Sequence, residues 1–398
     1  MDYGAEAIIR HRASRGKVSI ASKMKVETAE ELSIAYTPGV AAVSMAIAND
    51  KSESFALTNR ANNVAVVTDG SAVLGLGNVG PEAAMAVMEG KSILFKGLAD
   101  IDAFPICLAT QDSASIIETV KNIAPTFGGI NLEDIAAPRC FEIEAALQDI
   151  GIPVFHDDQH GTAIVVLASL INALLVVNKK INDVKIVFAG AGAGGIASAK
   201  LLNEYGAKNT VLVDSQGIIH KGRSDLSEIK QEMLAITNPD SHTGDLTEAL
   251  TGADIFIGLS VGDTVTQRMV QSMAKDAIVL AAANPTPEIM PDLAREAGAA
   301  VVGTGRSDFA NQINNSLAFP GVFRGALDVR APRITDGMKI SAAEALAGLV
   351  AEPTAERIIP WSLDPVVVPA VSRAVAEKWQ TDNNSYSLSP IIYPFSNL

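Results

Sequence analysis

The stretch VKIVFAGAGAGGIASAKLLNEYGAKNTVLVD, residues 184–214, decides the fold. An apolar, β-branched run at 184–188 leads directly into a glycine-rich turn, a helical segment follows, and a second apolar run ends in Asp214. This order predicts a Rossmann-type unit, in which the turn and the N-terminus of the helix bind the pyrophosphate of a dinucleotide. The stretch therefore predicts a nicotinamide-dependent enzyme.

The turn supplies the predicted cofactor-binding residues, which are Gly190, Ala191, Gly192, Ala193 and Gly195. Asp214 follows Gly190 by 24 residues, close to the ~20 expected for the acid that accepts the ribose hydroxyls. A carboxylate favours the ribose diol of NAD over the 2′-phosphate of NADP. Residues 215–217 supply no basic group, although Lys221 and Arg223 lie nearby in sequence. We expect NAD as the cofactor, with NADP left open.

A second GxGxxG match occurs at Gly75, Gly77 and Gly80. Here the preceding strand is broken at residues 69–71, and no following strand ends in an acid at a matching distance. Because glycine spacing alone is weak evidence, context has to decide between the two matches. We interpret the first match as a structural turn that lets the backbone approach the active site.

Length and composition predict a two-domain α/β protein. The chain has 398 residues, of which 48% are hydrophobic, 19% charged and 5% aromatic. Its net charge of −14 opposes binding to nucleic acid or to an anionic membrane, because both need clustered Lys and Arg. The charge-free run 162–177 has only 16 residues, fewer than the ~20 that span a bilayer. We expect neither nucleic acid nor a membrane as a partner.

The cysteines and the N-terminus indicate the cytoplasm. Cys107 and Cys140 have no neighbours at metal-ligand spacing, and we interpret them as buried thiols of a reducing compartment. The first 17 residues lack the apolar core and the cleavage site of a secretory signal.

Strands and helices alternate along most of the chain. This pattern predicts a Rossmann-type, doubly wound parallel sheet in a domain at 161–398 and a separate N-terminal α/β catalytic domain at 1–160. The apolar helix 161–178 is expected to join the two domains. The C-terminal helices, about 335–398, are expected to pack back onto the first domain.

Several groups outside the dinucleotide unit could perform chemistry. Two are Tyr36 and Lys91, and four are carboxylates: Glu133, Asp134, Asp157 and Asp158. The segment HDDQH, residues 156–160, has histidines at i and i+4 but lacks the glutamate of the zinc motif HExxH. The carboxylates instead favour a hard cation such as Mg²⁺ or Mn²⁺. Each group also has a structural interpretation, as a turn anchor, a solvated charge or a helix cap.

Seven segments together resemble the motifs of the malic enzymes, especially of their short bacterial branch. In chain order they are YTPGVA (36–41), VVTDGSAVLGLGNVGPEAAMAVMEGK (66–91), FGGINLEDI (127–135), HDDQHGTAIV (156–165), GAGAGG (190–195), ANPTPE (283–288) and NNSLAFPGVFRGAL (314–327). The match spans roughly residues 34–330.

The resemblance implies roles for these residues. Lys91 would be the general base, Tyr36 the general acid, and Asp157 would orient or pair with Lys91. The metal ligands would be Glu133, Asp134 and Asp158. Residues near the substrate or the nicotinamide would be Asn284, Asn314 and Asn315. The family also implies a homodimer or a higher homo-oligomer, and it leaves open whether Tyr36 serves its own subunit or a neighbour.

The implied reaction is oxidative decarboxylation of (S)-malate to pyruvate and carbon dioxide, with a nicotinamide cofactor and a divalent metal. The chemistry agrees, because a metal can polarise the substrate oxygen and the enolpyruvate intermediate needs a paired acid and base. A lysine base must be neutral, so we expect Lys91 in a partly closed cleft with a lowered pKa, near Tyr36. Alternatives are an oxaloacetate decarboxylase of the same family and a non-catalytic NAD-binding regulatory module.

One departure from the family concerns the substrate carboxylate. Larger members have an arginine after the TDG segment, whereas this chain has Asp69-Gly70-Ser71-Ala72. Candidates for its replacement are Lys91, Arg139 and the backbone amides of residues 75–80.

Overall fold

The computed structural model describes residues 3–73 and 75–383, and within these ranges it contains ten strands. They are β1 Asn63–Thr68, β2 Asp102–Cys107, β3 Gly129–Leu132, β4 Val154–His156, β5 Lys185–Ala189, β6 Asn209–Asp214, β7 Gly217–Ile218, β8 Ile255–Gly258, β9 Ile278–Ala281 and β10 Val301–Thr304. Residues 384–398 of the predicted second domain lie outside the described residues.

Helices connect and flank the strands. They are α1 Tyr3–Ser14, α2 Ala29–Ala35, α3 Val40–Asn49, α4 Ser54–Leu57, α5 Pro81–Ala99, α6 Ser113–Ile123, α7 Arg139–Leu147, α8 Thr162–Val176, α9 Ala193–Tyr205, α10 Glu228–Met233, α11 Leu246–Leu250, α12 Gln267–Gln271, α13 Pro291–Glu296, α14 Phe319–Asp328, α15 Asp336–Gly348 and α16 Val367–Asp382. A π-helical turn, Asp157–Gly161, directly precedes α8.

The first sheet is parallel throughout and has the strand order β2-β1-β3-β4. Its central strand β1 is buried at every position, as a parallel strand covered on both faces requires. Helix α5 begins with Pro81, whose fixed φ suits the first turn of a helix, and it connects β1 to β2. This βαβ unit is of the α/β class predicted for the N-terminal part of the chain.

The second sheet has the order β10-β9-β8-β5-β6-β7. Five of its strands are parallel, and the short β7 pairs antiparallel with β6. Strand order reverses direction at β5, so the crevice beside the glycine turn lies at the switch point where α/β sheets bind ligands. The predicted Rossmann-type α/β class is confirmed, whereas the hairpin to β7 was not predicted.

One apolar cluster spans both sheets. At the junction, Phe95 of α5 contacts Phe319 and Phe323 of α14, with ring centroids 4.7 and 5.3 Å apart. Helix α8 is buried along most of its length between the two sheets. Helices α15 and α16 pack on α8 and α14, so α14 carries the C-terminal region onto α5 of the first sheet.

The N-terminal arm, residues 3–50, differs from the rest because none of its residues is buried. Large apolar side chains on it are exposed to solvent, among them Leu32, Ile34 and Met45. Two described stretches are long and apolar enough to span a membrane by composition. Asp157–Val176 is 72% buried as a core helix, and Ala29–Asn49 is interrupted by the turn between α2 and α3.

Both cysteines are free thiols. Cys140 is buried as expected, but the expectation for Cys107 is wrong, because it is only half-buried at the end of β2 beside Met85.

Candidate functional site

Lys91 lies at the centre of the site, on the face of α5 that points into the protein. Its residue exposure is only 8%, and its Nζ lies 2.6 Å from Asp157 Oδ2 and 2.9 Å from Glu133 Oε1. The ring of Phe319 lies beneath the ammonium, 4.4 Å from Nζ to the ring centroid. The predicted partly closed cleft around Lys91 and its pairing with Asp157 are both observed.

The predicted lowering of the Lys91 pKa is wrong for the chain alone. Burial lowers the pKa, but the charges of Asp157 and Glu133 act against burial, and the net shift is upward. Burial raises the pKa of Asp157 to about 8, against the attraction of Lys91. Lys91 is therefore held protonated beside a carboxyl group that titrates near neutrality.

The π-helical turn positions Asp157. It follows β4 directly, so the carboxyl end of a parallel strand delivers Asp157 into the crevice between the sheets. A Cβ at Gly161 would lie 1.9 Å from Asp157 Oδ1, so this position has to be glycine for the carboxylate to fold back against the turn. A π-turn is common at functional sites, where the extra residue re-aims a side chain.

Three carboxylates next to Lys91 form an acidic cluster, with one oxygen from each lying within 4.8 Å of the others: Glu133, Asp134 and Asp158. Asn131 donates from Nδ2 to Glu133 Oε2 at 2.8 Å, and the Asp134 amide donates to Asp158 Oδ2 at 2.8 Å. Burial raises the pKa of Glu133. Buried oxygen donors of one sign match a hard divalent cation.

The predicted dinucleotide turn has the geometry that its glycines imply. Gly190 has φ +114°, and an added Cβ would meet Leu259 O at 2.5 Å. A Cβ at Gly195 would lie 1.9 Å from Gly190 O, so close helix–strand packing requires glycine there. Gly192, before the first turn of α9, faces open space where a pyrophosphate could approach the backbone. Ala191 and Ala193 complete the turn.

Asp214 lies at the end of β6 as predicted, but it is not alone. Arg223 donates to both of its oxygens, at 2.7 and 3.1 Å, and Lys230 donates at 2.6 Å. These partners hold the pKa of Asp214 below its usual value, against burial. Two cations, Arg223 and Lys230, therefore lie at the predicted ribose site. The sequence indicated Arg223, together with Lys221, but not Lys230.

The three predicted asparagines lie on the Rossmann side of the crevice. Asn284 follows β9, and its carbonyl oxygen approaches Gly75 of the other domain, where an added Cβ would be 3.2 Å away. Asn315 lies beside Gly161 of the π-turn. Asn314 caps a short 3₁₀ turn, with Oδ1 accepting the Ser316 amide at 2.9 Å.

The first glycine match forms a closed loop that faces the crevice. A Cβ at Gly70 would lie 2.3 Å from Gly80 O, and Val73 pairs with Gly77. Arg139 braces this loop, donating to Asp69 Oδ2 at 2.8 Å and to Ser71 Oγ at 2.9 Å. The loop is a structural turn next to the site, in agreement with its interpretation from sequence.

Tyr36 is not brought to Lys91 within the described part of one chain. Its side chain lies on the N-terminal arm, and the residue is 67% exposed, whereas Lys91 is buried. No ring contact or hydrogen bond joins the two among residues 3–73 and 75–383.

Sequence reasoning missed Asn131, Phe319 and Lys230 as parts of the site. Asn131 could have been found, since it lies two residues before Glu133 on one face of β3. Phe319 and Lys230 reach the site through long-range packing that leaves no local signal.

The fold and the site together define a dinucleotide-binding enzyme with a buried lysine beside an acidic cluster. Family models match two ranges: the malic enzyme N-terminal domain at residues 14–148 and the malic enzyme NAD-binding domain at 159–381. The chain belongs to the malic enzyme family.

Known malic enzymes are similar in sequence to this chain over most of their length. The bifunctional malic/malolactic enzyme of Bacillus subtilis is 55% identical over 381 residues, covering 95% of this chain and 93% of that protein. The NAD-dependent malic enzyme of Geobacillus stearothermophilus is 53% identical, covering 91% and 76%. The crystal structure of the NAD-dependent malic enzyme of Thermotoga maritima superposes with a TM-score of 0.91 at 50% identity, covering 93% and 98%.

We predict that Gly161→Ala destabilises the protein by about 3–5 kcal/mol, because the new Cβ must displace Asp157 and break its buried ion pair with Lys91. Urea unfolding measures the change. Gly97→Ala is the matched control: an added Cβ there meets nothing within 4 Å, so stability should change by less than about 1 kcal/mol. Equal unfolding midpoints for Gly161→Ala and the wild type would contradict this account of the turn.

Proposed function

We propose that the protein oxidises (S)-malate at its hydroxyl-bearing carbon and releases carbon dioxide and pyruvate, with reduction of NAD and a requirement for Mg²⁺ or Mn²⁺. The observation that carries the proposal is the contact between the dinucleotide turn and the segment that carries the acidic cluster. A Cβ at Gly194, in the first turn of α9, would lie 3.2 Å from the carbonyl oxygen of Asp158. The dinucleotide turn and the acidic cluster therefore lie side by side, as hydride transfer requires.

Lys91 and Asp157 form the base in this proposal. Lys91 takes the proton of the malate hydroxyl as hydride leaves for the nicotinamide, and it must be neutral to do so. The 2.6 Å contact gives the Lys91 proton a direct path to Asp157, and the raised pKa of Asp157 lowers the free-energy cost of that transfer. The same pair can return the proton to the carbonyl oxygen when carbon dioxide departs.

The cation site in this proposal consists of Glu133, Asp134 and Asp158. A divalent cation bound there would polarise the substrate oxygen and draw the charge of Glu133 away from Lys91, which favours a neutral lysine. These carboxylates, of which Glu133 and Asp134 are buried and Asp158 is partly exposed, fit such an ion because they are three oxygen donors of one sign. On the opposite wall, Asn284 and Asn315 are proposed to orient malate, with Asn314 supporting the turn that carries Asn315.

Asp214 is the proposed ligand of the adenosine ribose, which favours NAD. The 53% identical relative is named an NAD-dependent malic enzyme. Arg223 and Lys230 nevertheless place positive charge where a 2′-phosphate would lie. We therefore expect measurable turnover with NADP as well, at lower efficiency.

The proposed assembly is a homodimer in which Tyr36 acts in the partner's site. The N-terminal arm exposes Leu32, Ile34 and Tyr36 without any buried residue, as expected of a segment that a second copy covers. Six cations lie on the arm, in a chain of net charge −14: Arg10, Arg12, Arg15, Lys17, Lys23 and Lys25. With the five carboxylates of the arm, Glu6, Glu27, Glu30, Glu31 and Asp50, these cations give residues 3–50 a net charge of +1, whereas residues 51–398 carry −14, so the acidic body of a second copy does not repel the arm. Lys17 contacts Ala86 and Glu89 of α5, which joins the arm to the helix that carries Lys91.

Tyr36 supplied in this way would protonate carbon 3 of enolpyruvate.

We also propose that the chain divides at about residue 160 into the catalytic and the dinucleotide-binding domain. Cytoplasmic location remains a prediction from the sequence.

We predict that purified protein with malate, Mn²⁺ and NAD produces reduced nicotinamide, measured by absorbance, together with carbon dioxide. The rate with NADP should be lower. No reduction of either cofactor would contradict the proposal. Carbon dioxide release from oxaloacetate alone would then indicate a decarboxylase, and inactivity in both assays would indicate a binding module.

We predict that a mixture of two inactive variants regains activity. Tyr36→Phe and Lys91→Ala should each lower kcat by about 10²–10⁴-fold, because each removes one proton-transfer group. In a mixed dimer, the chain with intact Lys91 receives the intact Tyr36 of its partner, so one of two sites works. Equal mixing with subunit exchange should restore about a quarter of wild-type activity, since half of the dimers are mixed.

The control for this mixture is Tyr3→Phe with Lys96→Ala, two exposed residues on α1 and α5, which should keep full activity alone and together. A mixture of Tyr36→Phe and Lys91→Ala that stays inactive, although mixed dimers are present, would place Tyr36 in its own subunit's site or outside the mechanism.

A further inference from the structure

Glu288 is a buried carboxylate that the reaction scheme above does not use. It lies in the loop after β9, and its exposure is 0%. Oε1 accepts the Ser260 amide at 2.9 Å, and Oε2 accepts the Ala283 amide at 3.1 Å. Ser260 follows β8 and Ala283 follows β9, so one side chain joins the loops at the carboxyl ends of two neighbouring parallel strands.

The backbone around Glu288 leaves space for its carboxylate. A Cβ at Gly258, the last residue of β8, would lie 2.3 Å from the carboxyl carbon of Glu288, so only glycine leaves the space. Backbone bonds hold the same two loops together, with Asp263 N donating to Pro287 O at 3.0 Å and Val265 N donating to Glu288 O at 2.9 Å. The Glu288 side chain is therefore closely packed between the loops that follow β8 and β9.

The chemistry of the contact specifies an acid. Both oxygens of Glu288 face N–H donors, and a glutamine could offer only one acceptor oxygen, with its NH₂ group turned towards the other donor. Within the described residues Glu288 forms no salt bridge. Burial raises its pKa, because it disfavours the ionised form. A buried acid without a cationic partner is costly even when its oxygens accept backbone hydrogen bonds, so packing alone is a poor reason for its presence.

Each loop that Glu288 holds reaches a different half of the site. The Leu259–Ser260 segment packs on the dinucleotide turn, where a Cβ at Gly190 would lie 2.5 Å from Leu259 O and 3.3 Å from Ser260 Cβ. Ala283 immediately precedes Asn284, whose side chain packs over Gly305 and whose carbonyl oxygen faces Gly75. Glu288 thus connects the cofactor turn to the proposed substrate-orienting asparagine.

We infer that Glu288 is a positioning residue for hydride transfer, which fixes the dinucleotide turn and Asn284 relative to each other. This inference rests on the proposed function, because it assumes that malate lies against Asn284. A displacement of about 1 Å between two reacting groups can cost about 10²-fold in rate. The decarboxylation step has its groups on the opposite wall, at Lys91, Asp157 and the acidic cluster, and involves no hydride transfer to the nicotinamide.

The test compares wild type with Glu288→Gln in the full-length enzyme. We expect kcat/KM for malate oxidation to fall about tenfold or more and the deuterium isotope effect with [2-²H]malate to rise, since hydride transfer becomes slower relative to the other steps. Oxaloacetate decarboxylation, assayed without nicotinamide, should change by less than about twofold. A residue with only a structural role would not change the isotope effect.

Two further variants and a control sharpen the test. Gly258→Ala leaves the acid in the sequence but displaces it, so it should reproduce the kinetic pattern, and the double variant should be no worse than either single one. Glu288→Asp keeps two acceptor oxygens and should restore part of the loss. Glu296→Gln, an exposed charge-matched change on α13, should behave as wild type.

An unchanged kcat/KM and isotope effect in Glu288→Gln would overturn the inference, as would an equal loss of malate oxidation and oxaloacetate decarboxylation. A wild-type enzyme that oxidises no malate would instead contradict the proposed function. The two failures are therefore distinguishable.

Discussion

The structure depends on a buried ammonium group placed between two buried carboxylates. Lys91 is fixed by Asp157 at 2.6 Å and by Glu133 at 2.9 Å, in a crevice that nearly excludes water. Ions this deep are stable only when paired, and removal of one partner leaves an uncompensated charge that costs about 3–5 kcal/mol. Because the lysine comes from α5 and the acids follow β3 and β4, this contact also fixes how the helix sits on the first sheet.

Elements that flank the second sheet pack closely against the segments that carry these charges. A Cβ has no space at Gly161 and only a tight fit at Gly194, so the first turn of α9, the π-turn and the Asn315 segment approach each other closely. The three phenylalanines of the α5–α14 junction close the crevice from below. Small residues at the contacts and aromatic packing beneath them bring a dinucleotide turn and an acidic cluster from separate domains into one site.

Local features could be predicted from the sequence. The Rossmann unit was predictable because strand, glycine turn, helix and Asp214 lie within one short stretch, and the acidic cluster because its members follow strands in recognisable motifs. Contacts between distant segments left no such signal: the ring of Phe319 under Lys91 and the hydrogen bond from the Ser260 amide to Glu288. The shift in the pKa of Lys91 was predicted with the wrong sign, because the sequence indicated only Asp157 as a partner of Lys91 and did not reveal Glu133 as a second one. The sequence also did not reveal that Tyr36 is exposed, on an arm in which no described residue is buried.

The central claim is that the carboxylates beside Lys91 form a cation site. Electron paramagnetic resonance titration with Mn²⁺ tests it most directly, because the free ion is counted without any turnover. The account predicts one bound Mn²⁺ per chain in the wild type, binding at least about tenfold weaker in Glu133→Gln, and wild-type affinity in Glu118→Gln, an exposed acid of the same domain. Equal Mn²⁺ affinity of Glu133→Gln and the wild type, or no bound Mn²⁺ in either, would contradict it.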